Sequence, residues 1–172
     1  NGIDFSFFFK KITNSLKLQE HPMILDGEIV AYDDKGKPNF QWLQKIGDHP
    51  NLSLTFQIFD LLWLNGHSTE NLSYLQRKEL LKDALIENEI IKYSDHILEK
   101  GRDFFQAAKD MGLEGIVAKK TDSLYKENLR SSEWLKIKIH KSDEAVICGF
   151  TEPKGSRKKF GALILGKYLN GE

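Results

Sequence analysis

Leu52-Ser53-Leu54-Thr55-Phe56-Gln57-Ile58-Phe59-Asp60-Leu61-Leu62-Trp63-Leu64 reads as one long strand, and the rest of the chain arranges itself around it. Leu52, Leu54, Phe56 and Ile58 alternate with Ser53, Thr55 and Gln57, the period of two expected when one face of a strand is buried. Asn65-Gly66 ends the run as a turn. Phe59 breaks the alternation, because its parity groups it with Ser53, Thr55 and Gln57 on the polar face. A ring so placed can stack on a base, worth about 1–3 kcal/mol. Packing against a neighbouring helix would use the same ring equally well.

Upstream, Phe9, Ile12 and Leu16 recur at helical spacing and predict a short amphipathic helix over 7–18. Met23–Tyr32 reads as a strand, 33–38 as a turn, 40–46 as a helix and 47–51 as a loop. Downstream, Ser73 with Gln76 fits a capping box, and Leu80, Leu81, Ala84 and Leu85 carry that helix onward. A second helix over 103–111 stops at Gly112. Strands follow at Gly115–Lys119 and 133–140, and two more, at 145–150 and 160–169, bracket a basic loop at 152–159. The sum is an α+β body over 1–140 and an all-β beginning over 141–172. A lone hairpin is not a stable unit, so the second part reads as incomplete.

Composition bounds the function. With 172 residues, the chain predicts one or two domains burying roughly 68–70% of the unfolded surface. Aromatic residues at 11% are too many for a disordered tail. The longest apolar runs (7–9, 61–64, 162–165) fall far short of the roughly 18 residues of a membrane span, so no membrane partner is expected. Cys148 stands alone, which excludes an internal disulfide and a thiolate zinc site and favours a reducing, intracellular setting, with the cytoplasm as the expected location. Lys+Arg and Asp+Glu balance at 25 each, so a nucleic-acid partner must be read from where the charge sits. The start at Asn1 without Met and the end at Asn170-Gly171-Glu172 suggest a piece of a longer protein.

Four stretches can carry chemistry. In Leu25-Asp26-Gly27-Glu28-Ile29-Val30, strand parity sets Asp26 and Glu28 on one face, opposite Leu25 and Ile29. Two carboxylates there suit Mg²⁺ or nucleotide hydroxyls, and equally a solvated strand edge. Glu114 opens the strand Gly115–Lys119 beside a glycine, where a carboxylate can hold a hard cation against a phosphate or simply cap a surface. Trp134-Leu135-Lys136-Ile137-Lys138-Ile139-His140 mounts two lysines on one face, with Leu135, Ile137 and Ile139 expected in the core behind them. Each ammonium–phosphate contact at 4 Å and an effective dielectric near 20 is worth about 4 kcal/mol before desolvation. A lysine-protected edge strand has the same pattern. Lys154, Arg157, Lys158 and Lys159 cluster between two strands, where loops of five-stranded barrels meet nucleic-acid phosphates; a solvated hairpin tip looks alike. The five histidines are scattered without metal-ligand spacing.

Taken in order, Asp26-Gly27-Glu28, Phe59-Asp60-Leu61-Leu62 with Asn65-Gly66, Glu114-Gly115-Ile116-Val117-Ala118-Lys119 and Trp134-Leu135-Lys136-Ile137-Lys138 resemble the motif series of the covalent nucleotidyltransferases. More narrowly the series is similar to the ATP-dependent DNA ligases, and within them to the ligase module of bacterial ligase D from non-homologous end joining. Asp122-Ser123-Leu124-Tyr125 with Arg130-Ser131, and Gly149-Phe150-Thr151-Glu152-Pro153-Lys154-Gly155-Ser156-Arg157, extend the resemblance over nearly the whole chain.

The resemblance implies an ATP-grasp-like adenylation domain of antiparallel sheets flanked by helices over 1–140, and the start of an OB-fold barrel over 141–172. It implies three steps: a lysine attacks the α-phosphate of ATP to give lysyl-AMP, AMP passes to a 5′-phosphate, and a 3′-hydroxyl displaces it. Glu28 would then contact ribose or a metal-bound water, and Phe59 would stack on adenine. Glu114 would support Mg²⁺ or Mn²⁺, and Lys136 and Lys138 would neutralise phosphates. Lys154, Arg157, Lys158 and Lys159 would meet DNA, with other end-joining repair domains as further partners and the nucleoid as the place of action. The family's Lys-x-Asp-Gly nucleophile motif occurs nowhere in 1–172, and Lys109-Asp110-Met111-Gly112 has the wrong spacing. The expectation is that the nucleophile lies upstream and that this chain alone neither adenylates itself nor seals nicks. Asn128 stands where many ligase D sequences carry glycine. RNA-capping guanylyltransferases and RNA ligases share similar motifs. The non-enzymatic alternatives are a nucleic-acid-binding fragment and self-association through the incomplete barrel.

Overall fold

The computed structural model describes residues 2–33, 36, 38–44, 52–127, 131–140, 144–156 and 158–168. The described elements run α1 (Lys10–Leu16), β1 (Met23–Tyr32), α2 (Phe40–Gln44), β2 (Ser53–Leu64), β3 (His67–Ser68), α3 (Tyr74–Ala84), β4 (Ile91–Tyr93), α4 (Gly101–Asp110), β5 (Gly115–Lys119), β6 (Trp134–Lys138), β7 (Val146–Phe150) and β8 (Leu163–Gly166). They fall into two compact units, Asn1–Ile137 and Lys138–Glu172.

In the first unit β2 is the hub. It pairs antiparallel with β1 and β3 and parallel with β4. The expected antiparallel sheets are present, β1–β2–β3 and β7–β8, and β4 adds one short parallel edge to the main sheet. The three-residue β4 is too short to show a period, and its parallel entry depends on the crossover through α3. Asn65 (φ 49°) and Gly66 (φ 94°) both sit in the left-handed region, the geometry of the tight turn that joins β2 to β3.

The alternation of β2 holds through Ile58 and then shifts twice. Asp26 faces Asp60 but Gly27 faces Ile58, so Phe59 is an extra residue; Leu25 faces Leu61 but Ile24 faces Trp63, so Leu62 is another. These bulges hold one core face continuous along residues spaced by two and then by three: Phe56, Ile58, Leu61 and Leu64. Ile58 and Leu61 are fully buried, with Ile12 of α1, Leu81 of α3, Leu85 and Ile91 around them. Leu25 and Ile29 pack on that core, as parity predicts. Gly27 sits where a Cβ would lie 2.6 Å from Phe56 Cε2 and 2.7 Å from the Gln57 carbonyl oxygen, so only glycine lets β1 approach the bulged strand.

Ser73 caps α3 with the full reciprocal box: its hydroxyl accepts from Gln76 N, and its own N–H donates to Gln76 Oε1. β5 and β6 form a two-stranded sheet, with α4 packed on β5. Leu135 is 51% and Ile137 40% exposed, against the expectation that both lie in a core. A period of two fixes which residues share a face, but not whether a layer covers it, and this pair has too few strands to cover itself. The loop at 47–51 lies outside the described residues, as do Asn128 and Arg130.

In the second unit β7 and β8 pair antiparallel, Val146 with Gly166 and Phe150 with Leu163, with an irregularity at Cys148. Ile147, Phe150, Ile164 and Leu165 are all more than half exposed.

Candidate functional site

Phe59 leaves β2 at a bulge, a place where strands commonly re-aim a side chain. Its ring is half-buried and meets the edge of Trp134 on β6, centroids 6.4 Å apart and planes at 80°. Trp134 also stands edge-on to Tyr74 of α3 (5.8 Å) and Tyr125 (6.0 Å). The four rings bring together β2, α3, β6 and the β5–β6 connection.

Into this group comes Lys119, the last residue of β5. Its Nζ lies 3.6 Å from the Trp134 ring centroid, 4.1 Å from that of Phe59 and 4.7 Å from that of Tyr74. It finds no hydrogen-bond acceptor among the described residues. Burial lowers its pKa from 10.5 to about 8, with Asp60 and Asp26 partly opposing the fall. Sequence reading gave Lys119 no role. The only signal was a lysine closing an otherwise aliphatic strand, which is also how strand edges look.

A polar frame holds the rings. Arg77 and Asp60, both fully buried, form a two-pronged ion pair: Nε to Oδ1 at 2.7 Å and Nη2 to Oδ2 at 2.9 Å. Arg77 Nη1 donates to the Leu72 and Ser123 carbonyl oxygens at 2.6 and 3.1 Å. The Ser123 hydroxyl accepts from Trp134 Nε1 (3.2 Å) and donates to the Lys120 carbonyl (2.7 Å). The Tyr125 hydroxyl donates to Asp26 Oδ2 at 2.9 Å. Burial, then that bond to a carboxylate, raises the Tyr125 pKa, so the phenol remains a donor at neutral pH.

Of the residues singled out by sequence, Lys136 and Glu114 are brought together, Nζ to Oε1 at 3.1 Å, both mostly exposed. Glu28 is exposed on β1 opposite Gln57, two residues from Phe59 along β2. Lys138 is exposed at the end of β6, two positions on from Lys136. Among the described residues no three His, Cys, Asp or Glu side chains gather as a metal cage. In the second unit Lys154, Lys158 and Lys159 are exposed on the β7–β8 connection, and Arg157 lies outside the described residues.

Residues 4–138 match the family model of the ATP dependent DNA ligase domain. The multifunctional non-homologous end joining protein LigD of Pseudomonas aeruginosa is 37% identical over 152 residues, covering 86% of this chain and 18% of that protein. A DNA ligase of Thermococcus fumicolans is 32% identical over 89% of this chain and 29% of its own length. The crystal structure of the ligase domain from M. tuberculosis LigD has a TM-score of 0.69 at 29% identity, covering 96% of this chain and 53% of that one. A mycobacterial DNA ligase D complexed with ATP and MES gives 0.65 at 28%, covering 94% and 50%. The chain thus spans less than a third of these two curated relatives and about half of the solved ligase chains. The mixed α/β fold is that of the LigD ligase domain. With the family match spanning residues 4–138, the chain belongs to the ATP-dependent DNA ligases.

Proposed function

We propose that this chain forms the nucleotide-binding part of an ATP-dependent DNA ligase that joins 3′-hydroxyl and 5′-phosphate ends in repair by end joining. Phe59 carries the adenine, Glu28 the ribose, and Lys136 and Lys138 the phosphates. The first unit is the adenylation domain, of ATP-grasp-like build, and the second is the beginning of an OB-fold that meets DNA through Lys154, Arg157, Lys158 and Lys159. DNA and other end-joining domains are the partners, and the nucleoid-bearing cytoplasm is the place of action.

The observation that supports this most directly is the Lys136–Glu114 pair at 3.1 Å. An ammonium and a carboxylate held side by side and open to solvent can exchange each other for a phosphate oxygen and the cation that accompanies it. The residues fit Mg²⁺ or Mn²⁺ in that sense. Mg²⁺ is usually held by one or two carboxylates together with substrate phosphates and water; Glu114 and Glu28 would be the carboxylates that offer this, and among the described residues no three acidic, His or Cys side chains form a cage. The cation, when bound, would draw charge from the triphosphate. The chain's own residues orient the α-phosphate by holding the base at one end and the phosphates at the other. Residues 1–172 contain no Lys-x-Asp-Gly, so the attacking lysine is not among them.

The test is a titration with ATP and with GTP in the presence of Mg²⁺, followed by intact-mass measurement. Saturable binding of ATP in preference to GTP, weakened by Phe59→Ala and without covalent gain, is expected. Preference for GTP would favour a capping-type enzyme. A mass increase of one AMP would overturn the view that these residues lack the nucleophile. Salt-sensitive DNA binding without any nucleotide binding would leave a nucleic-acid-binding module instead.

A further inference from the structure

Asp26 and Asp60 face each other across β1 and β2. Two like charges directly opposite one another destabilise a sheet unless each is answered. Tyr125 answers Asp26 with its hydroxyl, and Arg77 answers Asp60 with two prongs of its guanidinium. What remains of that guanidinium reaches elsewhere. Its Nη1 donates to the carbonyl of Ser123, whose hydroxyl receives the Trp134 indole N–H. One buried side chain therefore joins the residue next to Phe59 with the segment that fixes the first residue of β6, the strand of Lys136.

We propose that Arg77 is a positioning residue that sets the spacing between the base-binding ring of Phe59 and the phosphate-binding Lys136. This rests on the nucleotide-site reading given above. A nucleotide bridging the two ends gains from both only when they stand at the right separation, because the second contact then forms without a fresh loss of translational freedom. Arginine suits the task and lysine does not. A planar fork satisfies a carboxylate with two parallel bonds and still presents donors to the Leu72 and Ser123 carbonyls, whereas an ammonium is a point charge at the end of a flexible stem. Arg77→Lys keeps the charge facing Asp60 and gives up the reach to Ser123. Ser123→Ala leaves Arg77 and the Ser123 carbonyl in place and removes the hydroxyl's two bonds, the one accepted from Trp134 and the one donated to the Lys120 carbonyl.

The experiment compares ATP, adenosine and inorganic tripolyphosphate as three separate probes, with Mg²⁺ throughout. Affinities are read from the indole N–H resonances of the three tryptophans in the wild-type chain and both variants, with folding checked by circular dichroism. The expected result is that Arg77→Lys binds ATP about tenfold more weakly while adenosine and tripolyphosphate each change less than about twofold. Ser123→Ala shows the same split at a smaller size. ATP affinity unchanged in folded Arg77→Lys overturns the proposal, and so does an equal loss for all three probes, which marks a structural role only. If Arg77→Lys does not fold, Ser123→Ala decides: an unchanged ATP affinity there overturns it. A wild-type chain that binds none of the probes overturns the nucleotide-site reading itself, and this inference with it.

Discussion

Replacing Lys119 by methionine should make the protein more stable, which is unusual for a change at a half-buried charged residue. Burial holds the Lys119 pKa near 8, against 10.5 for the unperturbed side chain. At about 1.36 kcal/mol for each tenfold change in proton affinity, keeping the ammonium charged inside the fold at pH 7 costs about 3 kcal/mol. The ring faces of Trp134, Phe59 and Tyr74 return part of this, about 0.5–2 kcal/mol on the usual cation–π scale. Methionine keeps most of the volume and makes its own sulfur–ring contacts, so the net gain is about 1–3 kcal/mol. That corresponds to a rise in Tm of about 2–10 °C for a chain of this size.

The gain should depend on pH with a definite sign. The unfolded chain holds this proton up to about pH 10.5 and the folded chain releases it near 8, so between those values the unfolded state binds more protons. Wild-type stability therefore rises with pH through that window, and the advantage of the methionine variant shrinks. Lys78, whose pKa burial also lowers to about 8, is present in both proteins and cancels in the difference. Thermal unfolding at pH 7 and pH 10 measures both effects. A variant less stable than wild type at pH 7, or an advantage that stays the same at pH 10, would refute the reasoning.

Gly27→Ala should cost about 1–3 kcal/mol in urea unfolding, because its Cβ meets Phe56 and the Gln57 carbonyl below contact distance; a change under about 0.5 kcal/mol would mean that β1 can shift. Glu114→Gln should alter stability by less than about 1 kcal/mol, since its pair with Lys136 is exposed, yet weaken ATP binding in Mg²⁺. Equal ATP affinity for that variant and wild type would remove Glu114 from the site. Changing Lys154, Lys158 and Lys159 together to glutamine should flatten the salt dependence of duplex binding, by up to about 0.9 in the log–log slope per lysine. An unchanged slope would place the DNA contacts elsewhere.

Alternation made β1 and the first half of β2 legible in the sequence, and the odd parity of Phe59 was visible before any coordinate. Its cause was not. The bulges appear as core spacings of three at Ile58, Leu61 and Leu64, which a reader of periods takes for noise. Extending the strict alternation past Phe59 would have turned Leu61 outward, whereas it is fully buried. β4 is three residues long and carries no period at all. Leu135 and Ile137 show the other limit, that a pattern names a face without naming its cover. Glu114 and Lys136 were each legible as chemistry, but their contact is made by pairing between strands. Arg77 and Lys119 were silent because partners such as Asp60, Ser123 and Trp134 lie 15 or more residues away along the chain.

The bulges of β2 also bear on how this strand tolerates gains and losses of length over descent. If Leu62 were deleted, Ile24 would still face Trp63 and Leu25 would still face Leu61, in a plainer ladder. Deleting Phe59 would likewise leave Asp26 opposite Asp60 and Gly27 opposite Ile58. Neither residue is needed for strand pairing, so a lineage could lose either without losing the sheet. Only at Phe59 does the loss remove a ring from the site. A gap at Leu62 in some relative would thus be a neutral length change, whereas a gap at Phe59 would mark a scaffold without the ring proposed to hold the base.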